Sequence, residues 1–395
     1  MSDFMDRRAL LRRMGAAMAG LGAYASVAGR AMAAGTIQAG PASRDPTRLV
    51  ALPGKRPLIQ IYDKPPVYET PTGALIGKEI YPLTDRDAYY VRWREANIPV
   101  IRPEELRVDV AGDAAVSPRS FTFDDLRRFE EVSVAAVGAC TGMGRATLRP
   151  LLPGVPWGKG DVSAAKWTGV RVRDLLEAVG VKDDAVQVAF KSAGQTIASK
   201  APEYWRIQSV DELMNPDAIL AYKMNDAEIP IWNGAPLRLV VPGEYAPGWV
   251  KQVVRVEIRS TPIDNLWAGT QAGPDPLRIV SFVTTPQDGT VLHAGQETEL
   301  TGIAFDSGIG IARVEVSLDG GKTWDRAALE PSYGKYVWRV WHYRFTPRRR
   351  GKLTILTRAT GVQGEVQPFE PLEAHYATAR RLNSVLEYAS YLEVA

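Results

Sequence analysis

The run from Ser260 to Pro276 divides the chain into two regions built on different patterns. It is dense in Pro, Gly, Asn and Asp, which favour turns and interrupt helix and strand alike. Before it, strand-like apolar runs alternate with segments carrying helix caps. After it come short alternating segments, Ala312 to Leu318, Tyr336 to Phe345 and Lys352 to Thr360, with a turn at Asp319-Gly320-Gly321-Lys322. Turn signals at that spacing predict a β-sandwich of immunoglobulin type. The expected fold class is α+β: a mixed domain over residues 34–260, a linker over 261–276 and an all-β immunoglobulin-like domain over 277–395. Thirty-five Gly and 28 Pro among 395 residues fit a turn-rich, β-rich body. Trp324, Trp338 and Trp341 are expected in the core of the second domain.

Residues 1–33 read as a leader. Asp6-Arg7-Arg8-Ala9-Leu10-Leu11 is a twin-arginine pair before apolar residues, Met14 to Ala28 is weakly hydrophobic, and Ala31-Met32-Ala33 offers an A-x-A cleavage site. Gly20, Gly22 and Arg30 make this segment a poor membrane span. The expectation is export to the periplasm by the twin-arginine route, with no membrane span after the signal is removed. The formal charge of +3 is accounted for by five Arg and two Asp within this leader, so the remaining chain is neutral. A neutral body gives no support for nucleic-acid binding.

In the first region, residues 34–80 are Pro/Gly-rich and predict an irregular wrapping arm. Ala88 to Arg94 then combines aromatic residues with Arg92 and Arg94, which share a face at strand spacing. Phe121 to Val132 predicts an amphipathic helix opened by Thr122. Lys166-Trp167-Thr168-Gly169 leads into a predicted helix, Val170 to Val179, stopped at Gly180. Ser209 and Glu212 form a capping box. Pro236 to Gly243 predicts a buried strand carrying Arg238, which needs an anionic partner or full hydrogen bonding. A loop from Tyr245 to Lys251 follows, containing Trp249, and then a strand from Val253 to Ile258.

Ala135 to Arg145 holds the only cysteine, Cys140, at the end of an apolar run and inside a small-residue turn. Such a turn can present one thiolate, and Arg145 adds positive charge beside it. A buried structural cysteine satisfies the same pattern. One cysteine forms no internal disulfide, and no C-x-x-C, H-E-x-x-H or P-loop occurs. His293, His342 and His375 all lie in the last third, which argues against a zinc site or a Cys-His dyad at Cys140.

Four stretches in order resemble the sulfite oxidase family of molybdenum enzymes: Tyr89-Tyr90-Val91-Arg92, Cys140-Thr141-Gly142-x-x-Arg145, Lys166 to Arg171, and Pro236 to Lys251. A fifth, Arg313 to Trp324, resembles the hairpin of that family's C-terminal dimerisation domain. With the leader, the chain is similar to the bacterial periplasmic branch, of the sulfite dehydrogenase catalytic-subunit type. The resemblance implies a molybdenum-molybdopterin cofactor, with Cys140 as the metal ligand. It implies Arg92, Cys140 and Arg145 as catalytic residues. For cofactor binding it implies Tyr90, Val91, Arg92, Arg94, Cys140, Arg238, Trp249 and Lys251, the last few at the pterin phosphate. A soft thiolate suits molybdenum, and a cationic clamp suits a phosphate dianion.

The implied reaction is oxidation of sulfite to sulfate, with electrons passed singly to a c-type cytochrome. The implied assembly is a homodimer, or a heterodimer with a cytochrome subunit. The chain also departs from the family. Arg94 stands where a histidine is usual, and Met143 where an asparagine is usual. Asn265 to Gly273 lacks the family's linker tyrosine, and Ser307 to Ile311 lacks the arginine that the second domain often lends. These departures leave open another sulfur or oxo substrate, as in a sulfane dehydrogenase or a reductase, and a non-catalytic binding protein on the same fold.

Overall fold

A computed structural model describes residues 45–148, 154–196, 205–263, 275–370 and 381–395. The leader, the Asn265 to Gly273 stretch and His375 lie outside the described residues.

The first region carries fourteen strands: β1 Leu49–Val50, β2 Leu58–Tyr62, β3 Val67–Glu69, β4 Val91–Arg92, β5 Arg107–Ala111, β6 Arg119–Thr122, β7 Val132–Ala139, β8 Val162–Arg171, β9 Gln187–Ser192, β10 Trp205–Ser209, β11 Ile219–Met224, β12 Ala227–Glu228, β13 Arg238–Val240 and β14 Val253–Arg259. They form three sheets, ordered β1-β2-β3-β4, β10-β9-β14-β5-β6 and β12-β11-β8-β7, with β13 beside β11. The second region adds β15 Val280–Thr285, β16 Val291–Leu292, β17 Thr298–Phe305, β18 Ile311–Ser317, β19 Asp325–Arg326, β20 Ala328–Leu329, β21 Arg339–Phe345, β22 Gly351–Gly361 and β23 Ser390–Val394. These make two sheets, β15-β17-β21-β20 and β16-β23-β22-β18-β19. Leu300, Val314, Trp341, Ile355 and Leu392 from both sheets share one core, which is the sandwich that the alternating pattern predicts.

The expected mixture of helix and strand is lopsided. Among the described residues the α-helices are Phe123–Leu126, Val172–Val179 and Val210–Leu213, and the protein is mostly β. The helix predicted over Phe121 to Val132 is therefore a single turn. Thr122 caps it, with its hydroxyl accepting from Asp125 N at 3.0 Å. From Val132 the chain instead pairs with β8 along all eight residues of β7, from Val132↔Gly169 to Ala139↔Val162. That pairing takes only Val132 from the predicted helix; Phe121 and Thr122 belong to β6, and the turn ends at Arg127.

The helix at Val170 likewise starts two residues late, because Val170 and Arg171 still pair with Leu220 and Ile219 of β11. Gly169 permits that pairing: a Cβ there would collide with Leu220 O. Gly180 ends the helix at φ 78°, a conformation that favours glycine. The arm over residues 34–80 is not irregular throughout, since β1 to β3 build one sheet with β4. Trp338 and Trp341 are fully buried, whereas Trp324 is half-buried beneath the Arg358 guanidinium, 4.3 Å from its ring.

The two regions share an apolar core. Leu83, Val137, Ala139 and Met143 of the first pack with Val280, Phe282, Trp338 and Tyr388 of the second. Trp338 Nε1 donates to Pro82 O at 3.1 Å, and Val137 N to Tyr336 O at 2.9 Å. Lys159, almost fully buried, donates to Ala389 O at 2.7 Å and Ser390 Oγ at 3.0 Å. The segment around Cys140 is thus held from the second region as well as the first.

Candidate active site

A cleft of about 650 Å³, partly open to solvent, lies where four parts of the first region meet. Its walls are Tyr89 to Glu95 without Val91, then Cys140, Ser192, Asn233 and Arg238, and finally Ala246, Pro247, Trp249 and Lys251. It has two chemically different ends.

At one end Cys140 follows directly on β7 and is 6% exposed. Its amide donates to Asp161 O at 3.0 Å, and its carbonyl accepts from Met143 N at 3.2 Å. The turn closes at Gly144, with φ 81°. Aromatic rings surround it: Tyr89 stacks on Tyr90 at 5.2 Å, Tyr90 meets Trp157 edge-on, and Tyr89 meets Trp167 edge-on. Burial pushes the Tyr90 hydroxyl well above the usual tyrosine range, so it stays protonated. Asp161 is fully buried, and neither carboxyl oxygen has a hydrogen-bond partner. Burial first, then Cys140 and Glu69, push its carboxyl well above the carboxylate range.

At the other end positive charge is concentrated. Lys251 Nζ donates to Arg92 O at 3.0 Å and Trp232 O at 2.8 Å, and sits 4.4 Å from the Trp93 ring centre. Burial, and then Arg238, hold it well below the ordinary lysine range. Arg238, 3% exposed, donates from Nη1 to Asn233 O at 2.8 Å, while its Nε has no partner. Its guanidinium lies over the Trp167 and Trp249 rings at 4.9 and 5.6 Å. Behind it Lys55 Nζ donates to Asn233 Oδ1, Arg86 O and Tyr89 O. Burial brings Lys55 down to about 7.

The predicted site residues are distributed unevenly. Tyr90, Arg92, Arg94, Cys140, Arg238, Trp249 and Lys251 all line the cleft. Arg92 and Arg94 do so without strand alternation, because β4 ends at Arg92 and Trp93 between them also faces the cleft. Val91 is turned away, fully buried with Leu58, Tyr68 and Trp93. Arg145 does not line the cleft. Its guanidinium fills a slot between Gly142 and Gly154, where an added Cβ would stand 2.8 and 2.7 Å from Nη1, and that nitrogen donates to Val155 O at 2.8 Å. Met143 points into the core shared with the second region.

The sequence reading missed Tyr89, Trp93, Glu95, Ser192 and Asn233 on the walls, and Lys55 behind them. Glu95 follows two arginines and reads as one member of a solvated charge run; the others carry no local signal. His342 bonds Glu330 at 2.7 Å in the sandwich, and neither it nor His293 lines the cleft. Among the described residues no group of three His, Cys, Asp or Glu could hold a metal, so a metal here needs ligands from a cofactor.

The residues present fit a sulfur-ligated, anionic cofactor. Arg92, Arg94, Arg238 and Lys251 line one cleft against a single carboxylate, Glu95. Arg238 is buried and Arg92, Arg94 and Lys251 are half-buried, and gathering like charge there is costly unless an anion arrives. Arg238 Nε is buried without a hydrogen-bond partner.

Comparison with known proteins agrees with this chemistry. The family described as oxidoreductase molybdopterin binding domain matches residues 95–267. The Mo-co oxidoreductase dimerisation domain matches residues 275–383. Sulfite oxidase of Rattus norvegicus is 29% identical over 358 residues, covering 83% of this chain and 63% of the relative. Sulfite oxidase of Gallus gallus is 27% identical over 361 residues, covering 84% and 77%. The chain thus spans under two thirds of the length of the rat relative. Among solved structures, the sulfane dehydrogenase SoxCD from Paracoccus pantotrophus shares the fold, with TM-score 0.65 and 22% identity over 84% of this chain and 87% of that one.

Proposed function

We propose, from the premise that this chain belongs to the sulfite oxidase family of molybdopterin oxidoreductases, that it oxidises sulfite to sulfate and delivers the two electrons singly to a c-type cytochrome. The observation that carries the proposal is the cleft itself, which gathers one thiol and four cations on its walls. When bound, the molybdenum cofactor supplies two-electron oxygen-atom transfer. Sulfite and water become sulfate, two protons and two electrons.

The chain's own groups do the rest. Cys140 offers a soft sulfur donor, held by its backbone hydrogen bonds to Asp161 and Met143. Arg238 and Lys251 would hold the cofactor's phosphate, which would supply an anion to one buried and one half-buried cation. Arg92 and Arg94 hold the substrate oxyanion and offset the charge of the product. The tyrosine and tryptophan walls lower the local dielectric and strengthen each of these contacts. Arg145 braces the Cys140 turn from its glycine slot and contributes positive charge near the site.

Arg94 on the wall favours a second reading within the same class: another anionic sulfur compound in place of sulfite. We further infer export to the periplasm from the paired arginines of the leader. The second region serves as an immunoglobulin-type dimerisation module, and the partner is a second copy or a cytochrome subunit. Among the described residues no helix is long and apolar enough to cross a membrane. The test is metal content and sulfite-dependent cytochrome c reduction on one sample. Stoichiometric molybdenum with turnover supports sulfite. Molybdenum without turnover moves the assignment to the second reading, and a well-folded, metal-free protein refutes both.

A further inference from the structure

Glu69 closes β3 and is fully buried. Its two carboxylate oxygens accept from one loop: Oε2 from Gly158 N at 2.8 Å and Oε1 from Gly160 N at 3.2 Å. Thr70 N donates to Gly160 O at 3.0 Å beside them. The approach is close enough to demand glycine, since a Cβ on Gly160 would stand 1.8 Å from Thr70 O and 2.8 Å from Glu69 Cγ. Bonds from backbone N–H to a carboxylate are charge-assisted, and a buried setting strengthens them further.

The loop held in this way is the template for the Cys140 turn. β7 and β8 pair as far as Ala139↔Val162. Past that pair the contact continues, with Cys140 N donating to Asp161 O at 3.0 Å, Gly144 N to Gly158 O at 2.7 Å and Ala146 N to Trp157 O at 2.7 Å. The turn therefore rests on residues 157–161, the stretch whose amides Glu69 fixes. Lys159 ties that stretch to the second region through Ala389 O and Ser390 Oγ, while Glu69 and Thr70 hold it from the first. Glu69 itself does not line the cleft. Resting on the reading of Cys140 as the molybdenum ligand, we propose that Glu69 is a positioning residue for that sulfur. By fixing Gly158 and Gly160 it sets where the Cys140 turn presents its thiol.

The sandwich supplies a matched control. Asp306, 8% exposed, accepts from Gly308 N and Gly310 N at 2.8 Å each, again two amides separated by one residue. The amides of the Cys140 turn donate elsewhere. The experiment compares wild type with Glu69→Gln, Glu69→Asp and Asp306→Asn. Glutamine keeps the length but turns an N–H donor toward a backbone N–H; aspartate keeps the charge but is one methylene short. Cys140 is the only cysteine, so a small thiol reagent reports on it alone in the metal-free protein. At 6% exposure it is reached when the turn opens. Well below every melting midpoint, labelling should be about tenfold faster in both Glu69 variants and within about twofold of wild type in Asp306→Asn. In loaded Glu69 variants the thiolate-to-molybdenum absorption band should shift, and kcat should fall about tenfold with the Michaelis constant for sulfite within about twofold. Wild-type labelling in the Glu69 variants, an equal rise in Asp306→Asn, or an unshifted band overturns the proposal. Should Glu69→Gln fail to fold, Glu69→Asp decides alone. Wild type that comes metal-free from a cofactor-producing host refutes the functional reading instead, while labelling still judges Glu69, so the two failures are separable.

Discussion

The two ends of the cleft are built in opposite ways. The thiol end is local: β7 and the turn that closes at Gly144 deliver Cys140 within one continuous stretch, and apolar rings enclose it. The cation end is assembled from distant segments, with Lys55, Arg92, Asn233, Arg238 and Lys251 converging across nearly 200 positions of chain. A local turn lined by hydrocarbon stabilises the empty protein. A cluster of buried cations destabilises it until an anion binds. Folding energy and binding energy therefore reside at different ends of one cavity.

The sharpest way to break this comparison is Cys140→Ser. It should abolish molybdenum retention and lower turnover at least about a thousandfold, while thermal unfolding stays close to wild type. Metal analysis beside a melting curve checks both; full metal content in the variant would remove Cys140 from the metal.

At the other end Lys251→Met should separate stability from binding. The metal-free protein should gain up to about 1 kcal/mol, because a half-buried ammonium becomes a thioether of similar length. Cofactor retention should fall about tenfold to a hundredfold. Denaturant unfolding of the metal-free protein and pterin content of the loaded one are the readouts, and a destabilised variant contradicts the account.

The third expectation concerns pH. Lys55 is held near 7 and Lys251 well below the ordinary 10.5, in both cases chiefly by burial. Unfolding returns them to 10.5, so between the folded values and 10.5 the unfolded chain binds more protons. Stability of the metal-free protein should therefore rise from about pH 7 toward pH 10, by at most about 1.4 kcal/mol per unit for each proton. Bound phosphate favours the charged lysines and should flatten the slope. Unfolding free energies of both forms across that range test it; equal slopes would show that phosphate does not reach these lysines.

The smallest effect is expected at Arg145→Lys. Lysine leaves the Gly142–Gly154 slot poorly filled and loses the fork that donates to Val155 O, a change worth about 1–2 kcal/mol of stability. The Michaelis constant for sulfite should change less than about tenfold. A larger change with unaltered stability would return Arg145 to the substrate contacts.

Much of this cavity was legible in the residues. Cys140 at the end of an apolar run, Arg92 and Arg94 beside aromatic residues, and Arg238 in a strand all carry local signals, and all line the cleft. Val91 and Arg145 did not follow, because neighbouring positions on a strand or turn face opposite ways and only packing decides which way. Glu95, Ser192 and Asn233 had no signal, since each is ordinary in its own segment and matters only beside residues far away in sequence. The helix expected from Phe121 is cut at both ends by sheet pairing, Phe121 and Thr122 joining β6 and Val132 joining β7, which leaves one turn at Phe123–Leu126.

The amino-acid sequence by itself determined strands and turns of the sandwich, the cap at Thr122 and the stop at Gly180. Each of these rests on dihedral preference, alternation or a hydrogen bond within a few residues. Only the tertiary structure decided that the cations converge, that Met143 and Tyr388 join the regions in one core, and that a lone carboxylate stands among the cations. Those outcomes depend on desolvation, which no segment experiences until the others have closed around it.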